Sequence, residues 1–593
     1  MAKITTKDES RIYRIRRFLG LHESADGDTQ LELGEASELR NWQVTPQFHL
    51  RVRPGYRTAQ TFSGPVRGMW TGYVSGRRCT LCVADGAIWE LGDSLRRIGD
   101  ISDAPTTMFG FGNKVYFLNG QEYLVWDGAG FADTVEGYVP LVVTAMTPAG
   151  DGVTVENVNR LTGRRRCRFS ADGKAVSYHL PEQNLLAVEK VTVDGQEAWN
   201  WTAELSSGTV EFSAPPEAGD CNVEVTYAVA NDLRVQVESM RFAEQFNGAA
   251  DTRVFLYGDG SAKAIYCGVT EDGTASAEYF PDLYEVLVGS ENAPLTAMIK
   301  YYDRLISYKA DGGAFSTRYE LTTLADGTAV PGFLTVSINR EMGNSAMGQV
   351  RLVQNVPRTL YGGNLYDWVM ASYATRDERN AKLISQRVQQ TLSTADPEKV
   401  FCFDDDAKGE YYLFLNDEDG TVLVHNYGID VWYLYTGLPV ACAGRMGESL
   451  YFGMTDGRVV VFDPELPNDD GVAIDARFAS GHMSFDRDDR RKYSSEVWVS
   501  VKPTANANLR VTASSDRDMQ RGEKDVSMSL SSFKQGDFSR WSFITSRSPR
   551  IQRLKLKVKK FVYYQLIFSS DYRSSDATVL AVDIRVRYTG PAR

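Results

Sequence analysis

The sequence predicts an all-β chain: a divergent β-propeller with an inserted Ig-like β-sandwich module and a C-terminal β domain. Three observations predict it: a hairpin that recurs seven times, one long break in that series, and a change of texture after Pro464. The composition agrees, since 30 Tyr, 27 Phe and 10 Trp beside 51 Gly favour strands and tight turns.

Each hairpin is a short apolar-aromatic run, a glycine-containing turn and a second run. The turns fall at Asp85-Gly86, Asn119-Gly120, Asp259-Gly260, Asp311-Gly312, Gly362-Gly363, Asp419-Gly420 and Asp456-Gly457. Such pairs accept the left-handed backbone angles of two-residue hairpin turns. Apart from one break, successive turns are 34 to 57 residues apart, near the ~40–50 residues of a four-stranded propeller blade. Residues 59–137 are read as the first blades and 232–470 as the remaining ones, after an extended N-terminal arm over 1–58.

The break is the 140-residue gap between Asn119 and Asp259. Within it, "GTVEFSAPPEAGDCNVEVTY" reads as two alternating strands around a Pro-rich turn, as in small Ig-like sandwiches. Setting aside 138–231 leaves a gap of about one blade, so a module inserted into a propeller loop is the economical account. After Pro464, runs such as "SSEVWVSVKP" and "TVLAVDIRVRY" alternate with period two. Residues 471–593 are therefore expected to form a separate sandwich-like domain or strands appended to the propeller. Helix is expected only over 377–392, where Leu383, Ile384, Val388 and Leu392 share one face.

Charge divides the chain. The net charge is −12, yet residues 471–593 hold 23 Lys+Arg against 13 Asp+Glu, a balance of +10 that leaves −22 for the rest. An acidic body with a basic tail points to self-association or an oppositely charged partner, not to a nucleic-acid binder basic throughout. No apolar run reaches the ~18 residues of a membrane span. The first twenty residues lack the apolar core of a secretory signal, so synthesis in the cytoplasm and no membrane insertion are expected.

Motifs of catalysis are scarce. G-x-S-x-G, H-E-x-x-H and P-loop patterns are absent, and Ser531-x-x-Lys534 has no companion motif. Seven cysteines are too few for a disulfide scaffold, and the C-x-x-C of Cys79 and Cys82 has neither a second pair nor a nearby His. "DDDAKGEYYLFL" starts like a calcium loop at Asp404 and Asp406. It puts Lys408 at the fifth position and Leu415 where a bidentate Glu is needed. No enzyme activity, cofactor or metal is expected. In "RLKLKVKK", Arg553, Lys555, Lys557 and Lys559 alternate with Leu554, Leu556 and Val558, so a strand would present the four cations on one face. That stripe suits an acidic neighbouring subunit or DNA phosphates; a lysine-guarded solvated edge is the plainer account.

The segment "LELGEASELRNWQVTPQFHLRVRPGYR" resembles the opening of many bacteriophage structural proteins, on Gly34, Glu35, Ala36, Ser37, Asn41, Arg53, Pro54, Gly55 and Tyr56. "YYDRLISYKADGGAFSTRYE" and "NYGIDVWYLYT" have the same texture. The family resembled is the tail nozzle or hub protein of short-tailed phages. The resemblance implies a virion tail protein that forms a hexameric ring beneath portal-adaptor proteins. Such a ring extends the DNA exit channel, helps retain the genome, supports tail fibres, and passes DNA without sequence-specific binding. The arm would then contact a neighbouring subunit. Trp42, Arg51, Arg53 and Tyr56, with Arg553, Lys555, Lys557 and Lys559, are the candidate interface residues. Two alternatives remain: a receptor-binding or baseplate protein gripping host polysaccharide through Trp199 and Trp201, and, less readily, a propeller glycosidase.

Overall fold

A computed structural model of the chain describes residues 10–23, 30–92, 94–247, 252–323, 329–369, 381–504, 507–516, 522–528, 548–573 and 575–592. The Ser531/Lys534 pair lies outside them. The chain is all-β and propeller-like, and it divides into two compact units. One comprises residues 67–350, the other residues 1–66, 351–369 and 381–593.

Seven antiparallel four-strand units repeat along the described residues, five as separate sheets and two inside larger sheets, and all seven turns read from the sequence join the second strand of a unit to the third. The turn chemistry is more varied than a two-residue rule allows. Asp85-Gly86 and Gly362-Gly363 are two-residue turns with both residues at positive φ. The other loops are longer. At Asn119, for example, the side-chain oxygen accepts from the backbone N–H of Gln121 and of Glu122 at 2.9 and 3.0 Å, building the turn together with Gly120 at φ 83°.

In the unit of residues 67–350, sheet one (strands from Val66 to Asp100), sheet two (Thr107 to Thr134), sheet three (Phe242 to Leu287) and sheet four (Leu295 to Asn339) follow in chain order. Apolar layers lie between successive sheets. Val83, Ile88 and Ile98 of sheet one pack with Phe117 and Trp126 of sheet two, and Phe255 and Val286 of sheet three with Met298 and Leu305 of sheet four. Residues facing both neighbours must be apolar on both faces, which explains continuous runs such as Lys114–Leu118 and Thr252–Tyr257.

Between sheets two and three stands the inserted module, a sandwich of a six-stranded and a three-stranded sheet closed over Phe169, Tyr178, Val210, Val225 and Tyr227. One pair in it, Leu141–Met146 with Arg164–Ala171, is parallel. Asn159 ties the module's base to sheet three: its Nδ2 donates to the carbonyls of Tyr138 and Glu278 at 2.9 and 2.8 Å, and its Oδ1 accepts from Phe280 N–H at 3.0 Å. Arg166 and Arg168 add ion pairs to Glu271 at 3.1 and 2.7 Å.

In the other unit, sheet five (Arg351 to Leu383), sheet six (Phe401 to Tyr435) and sheet seven (Val440 to Asp463) continue the series. Sheet seven takes its fourth strand, Gly55–Thr61, from near the start of the chain. The arm and the C-terminal residues are one construction, pairing strands across the boundaries drawn at 58 and 471. Arm strand Glu35–Arg40 meets the last strand of sheet six at Arg40 and Leu434. It pairs on its other side with Ala476–Ser480, which leads into Tyr564–Ser570 and Ala507–Ser515. A second sheet joins Ser10–Ile15 and Leu50–Val52 to Thr578–Pro591, then to Arg490–Val501. The strands after Pro464 are thus appended to the repeating sheets, with the arm as their template.

The helix expected over 377–392 does not form among its described residues. Ala381–Leu383 is the fourth strand of sheet five, and only Gln386–Val388 and Gln389–Leu392 make short helical turns. Ser385, between the strand and the first of these turns, is fully buried, with its Oγ accepting from Leu365 N–H at 2.9 Å. The pairing partner of Trp368 overrides the helical spacing.

Candidate functional site: the arm clasp and the cationic sheet face

The residues that carry the phage-like pattern form a clasp inside their own unit. Asn41 breaks the arm between two strands at φ 57°, a left-handed angle that Asn tolerates. Its Nδ2 donates to Thr436 Oγ1 and to the Asp475 carbonyl at 3.0 and 2.8 Å. Its Oδ1 accepts from Arg53 Nε and Thr436 N–H at 3.0 and 2.9 Å. Arg53 then grips Asp469 with both terminal nitrogens, at 2.9 and 2.6 Å, from a site where its side chain is 1% exposed. This is a bidentate, buried pair, the geometry that repays desolvation best.

Neighbouring positions of the pattern also have structural tasks. Gly55 passes so close to the chain that a Cβ would lie 1.9 Å from the Asn468 carbonyl oxygen. Gly34 adopts φ +105°, with a Cβ position 2.1 Å from the Arg17 carbonyl oxygen. Ser37 Oγ donates to the Ser480 carbonyl at 3.2 Å. Glu35 is buried, accepting from Glu32 N–H at 2.9 Å with His22 Nδ1 3.0 Å away. Tyr56 is buried against Phe462, its ring centroid 6.1 Å away; burial first, and then Asp469, push its hydroxyl pKa up.

Trp42, Arg53 and Tyr56 are therefore engaged within the chain. Trp42 is fully buried and Arg53 and Tyr56 are nearly so, and within this chain all three act as internal anchors. Arg51 differs: half-exposed, it gives one N–H to the Pro464 carbonyl at 2.7 Å and keeps its other donors at a cavity wall.

The stripe from Arg553 to Lys559 alternates in exposure, but it is not one strand: residues 555–557 link Arg550–Leu554 to Val558–Phe561. Arg553, Lys555, Lys557 and Lys559 are exposed, whereas Leu554, Leu556 and Val558 are buried. The strands Arg550–Leu554 and Val558–Phe561 both pair with Arg490–Val501, so the stripe continues across the sheet. Register places Arg553 beside Trp498, whose other neighbour Asp583 pairs with Arg14 of the arm. Arg585 and Arg587 stand exposed on the same strand as Asp583. The face thus carries Arg14, Arg553, Lys555, Lys557, Lys559, Arg585 and Arg587 against Glu496 and Asp583. Glu496 pairs with Arg553, which holds its carboxyl below the ordinary value. Among the described residues, no carboxylate lies within ion-pairing distance of Lys555 or Lys557. Sequence reasoning missed the contribution of the arm and of Arg585 and Arg587, because their neighbours come from distant segments.

Other candidates resolve into structure. Cys79 and Cys82 are buried free thiols in the strand Arg77–Ala84, and burial pushes the Cys79 thiol up. Among the described residues, no group of three His, Cys, Asp or Glu side chains is arranged to hold a metal ion. Asp405 of the calcium-like loop is fully buried and pairs with Arg445. In the inserted module Trp199 is 82% exposed, while Trp201 packs against the core and donates Nε1–H to the Ala198 carbonyl at 2.8 Å. No helix among the described residues is long and apolar enough to cross a membrane.

No protein-family model and no curated protein matches the chain. Among solved structures it is similar to the computationally designed Ika8 protein, at 12% identity over 68% of this chain and 98% of that one, with a TM-score of 0.32. The AfRom2 CNH domain overlaps at 8% identity over 69% and 99%, with a TM-score of 0.33. Saccharomyces cerevisiae Sqt1 overlaps at 10% identity over 72% and 99%, with a TM-score of 0.29. Overlaps this loose carry no argument, so the propeller-like description rests on the chain's own sheets.

Proposed function

We propose that this chain is a non-enzymatic structural subunit of a bacteriophage tail that assembles with copies of itself into a ring. In this reading the ring is a hexamer beneath portal-adaptor proteins. It extends the DNA exit channel, helps retain the genome and supports tail fibres. The phage-like opening pattern supplies the context, and the observation that carries self-assembly is the cationic sheet face on a chain whose first 470 residues are strongly acidic. A face on which cations outnumber carboxylates meets an acidic surface favourably, and the interaction orients the partner as well as attracting it.

The test is charge reversal. The triple variant Arg553→Glu, Lys555→Glu, Lys557→Glu keeps every side chain at an exposed position, so the fold is expected to survive. Sedimentation and negative-stain imaging of the wild type are expected to give a closed ring that the variant does not form. Raising the salt to about 1 M, where the screening length falls to about 3 Å, is expected to weaken the wild-type ring in the same direction. A monomeric wild type, or a variant that still closes rings, overturns the reading.

A further inference from the structure

Beside the clasp, in the same unit, residues from the arm, sheet six and the C-terminal strands enclose an open cavity of about 490 Å³, within the ~300–1,000 Å³ common for small-ligand sites. Its floor is Glu410, a buried carboxylate that accepts hydrogen bonds from the hydroxyls of Tyr412, at 2.6 Å, and Tyr433. Each carboxylate oxygen keeps a further lone pair, and no cation among the described residues pairs with Glu410. On the wall, Asp576 accepts from Thr504 Oγ1–H at 2.6 Å, and Gln43 Oε1 accepts from the Tyr435 hydroxyl at 3.1 Å. Protein donors thus fix Glu410 and Gln43 from one side.

The rim has the opposite character. Arg51, Lys408 and Lys502 line the same cavity, and among the described residues none of the three has an ion pair. His49 also lines it; burial first, and then Lys502, hold its pKa below the ordinary value, so the rim's positive charge comes from the other three.

An acceptor floor and a cationic rim select a ligand with hydroxyl donors at one end and an anionic group at the other. Inorganic phosphate at neutral pH offers few donors to Glu410 and Gln43. A neutral sugar leaves the three rim cations without a partner, and a simple carboxylate reaching the floor meets Glu410. We propose that this cavity binds an acidic saccharide unit, a sugar ring bearing a carboxylate. Its hydroxyls donate to Glu410 and Gln43, and its carboxylate meets Arg51, Lys408 and Lys502. The inference concerns a site apart from the cationic sheet face and stands whether or not the chain forms a ring.

The experiment titrates the full chain with glucuronic acid, glucose and inorganic phosphate, followed by calorimetry or ligand-observed NMR. Glucuronic acid is expected to bind saturably, with Kd of about 1 mM or tighter, and glucose and phosphate at least about tenfold more weakly. The double variant Lys408→Gln, Lys502→Gln, at two exposed positions, is expected to keep the wild-type Tm and lose glucuronic acid affinity by about tenfold or more. Failure of glucuronic acid to saturate the protein overturns the proposal. So does glucose or phosphate binding as well as glucuronic acid, or a double variant that binds it like the wild type.

Discussion

Arg53 and Lys557 mark two extremes of how this molecule holds a cation. Arg53 is enclosed, with Asn41 on one side of its guanidinium and Asp469 on the other. Lys557 stands in the short link between two edge segments, exposed, with apolar Leu556 and Val558 turned inward on either side. The first joins segments more than 400 residues apart in sequence; the second leaves its charge to the solvent or to another molecule. The difference shows what determines the fate of a charged residue here. A cation flanked by turn-forming residues in a crossing segment is wrapped by distant backbone. A cation in a short link, between apolar residues that anchor it inward, is left outward.

The largest expected effect lies on the enclosed side. Arg53→Ala removes one partner of a buried bidentate pair, leaves Asp469 without its guanidinium donors and Asn41 Oδ1 with only the Thr436 N–H, and is expected to cost about 3–5 kcal/mol of stability. Lys557→Ala is the matched control, expected to stay within about 0.5 kcal/mol of wild type. Denaturant titration of both variants checks the pair. Comparable losses in the two would mean that the clasp is not an anchor and that the contrast between the regions is false.

A smaller effect is expected at Gly55. Alanine there drives a methyl group into the Asn468 carbonyl, and overpacking of this kind costs about 1–3 kcal/mol. The damage should be local to the junction of Gly55–Thr61 with sheet seven and with residues 468–470. Hydrogen exchange of the Arg458–Asp463 strand is therefore expected to quicken more than that of Arg550–Leu554. Equal protection at both would place the clasp's rigidity elsewhere.

The same contrast separates what could be read from residue order from what could not. All seven hairpin turns were legible, because Asp-Gly, Asn-Gly and Gly-Gly pairs encode a turn within a few residues. The alternation of exposed cations and buried apolar residues at 553–559 was legible too, although residues 555–557 link two strands and do not continue one. The clasp was not. That Glu35–Arg40 lies between Val431–Tyr435 and Ala476–Ser480 depends on pairings across hundreds of residues, and nothing in "GEASELRN" names those partners. The arm's arginines and those of the stripe looked equivalent in the sequence, and only burial by remote segments distinguishes them. The 377–392 segment failed in a similar way, since its spacing suited a helix while sheet five required Ala381–Leu383 as a fourth strand.

The smallest expected effect probes a buried charge between the two extremes. Asp404 stands at the end of a sheet six strand, half-buried; burial pushes its carboxyl up to about 6, against smaller opposing effects of the Tyr427 hydroxyl and Arg358. The sign follows from proton linkage. An acid whose pKa is higher in the folded chain than in the unfolded one binds its proton more readily when folded, so protonation favours the fold. The ionised form is therefore a liability above about pH 6, and that liability fades as pH falls toward the ordinary carboxylate value. Asp404→Asn, which keeps the shape without the charge, is expected to raise Tm at pH 8, with the advantage shrinking as pH drops through 6. Parallel Tm measurements from pH 8 to pH 5 decide it. An advantage that is constant with pH would assign the gain to packing, and a loss at pH 8 would show that the Asp404 carboxylate is stabilised by Arg358, as Asp469 is by Arg53.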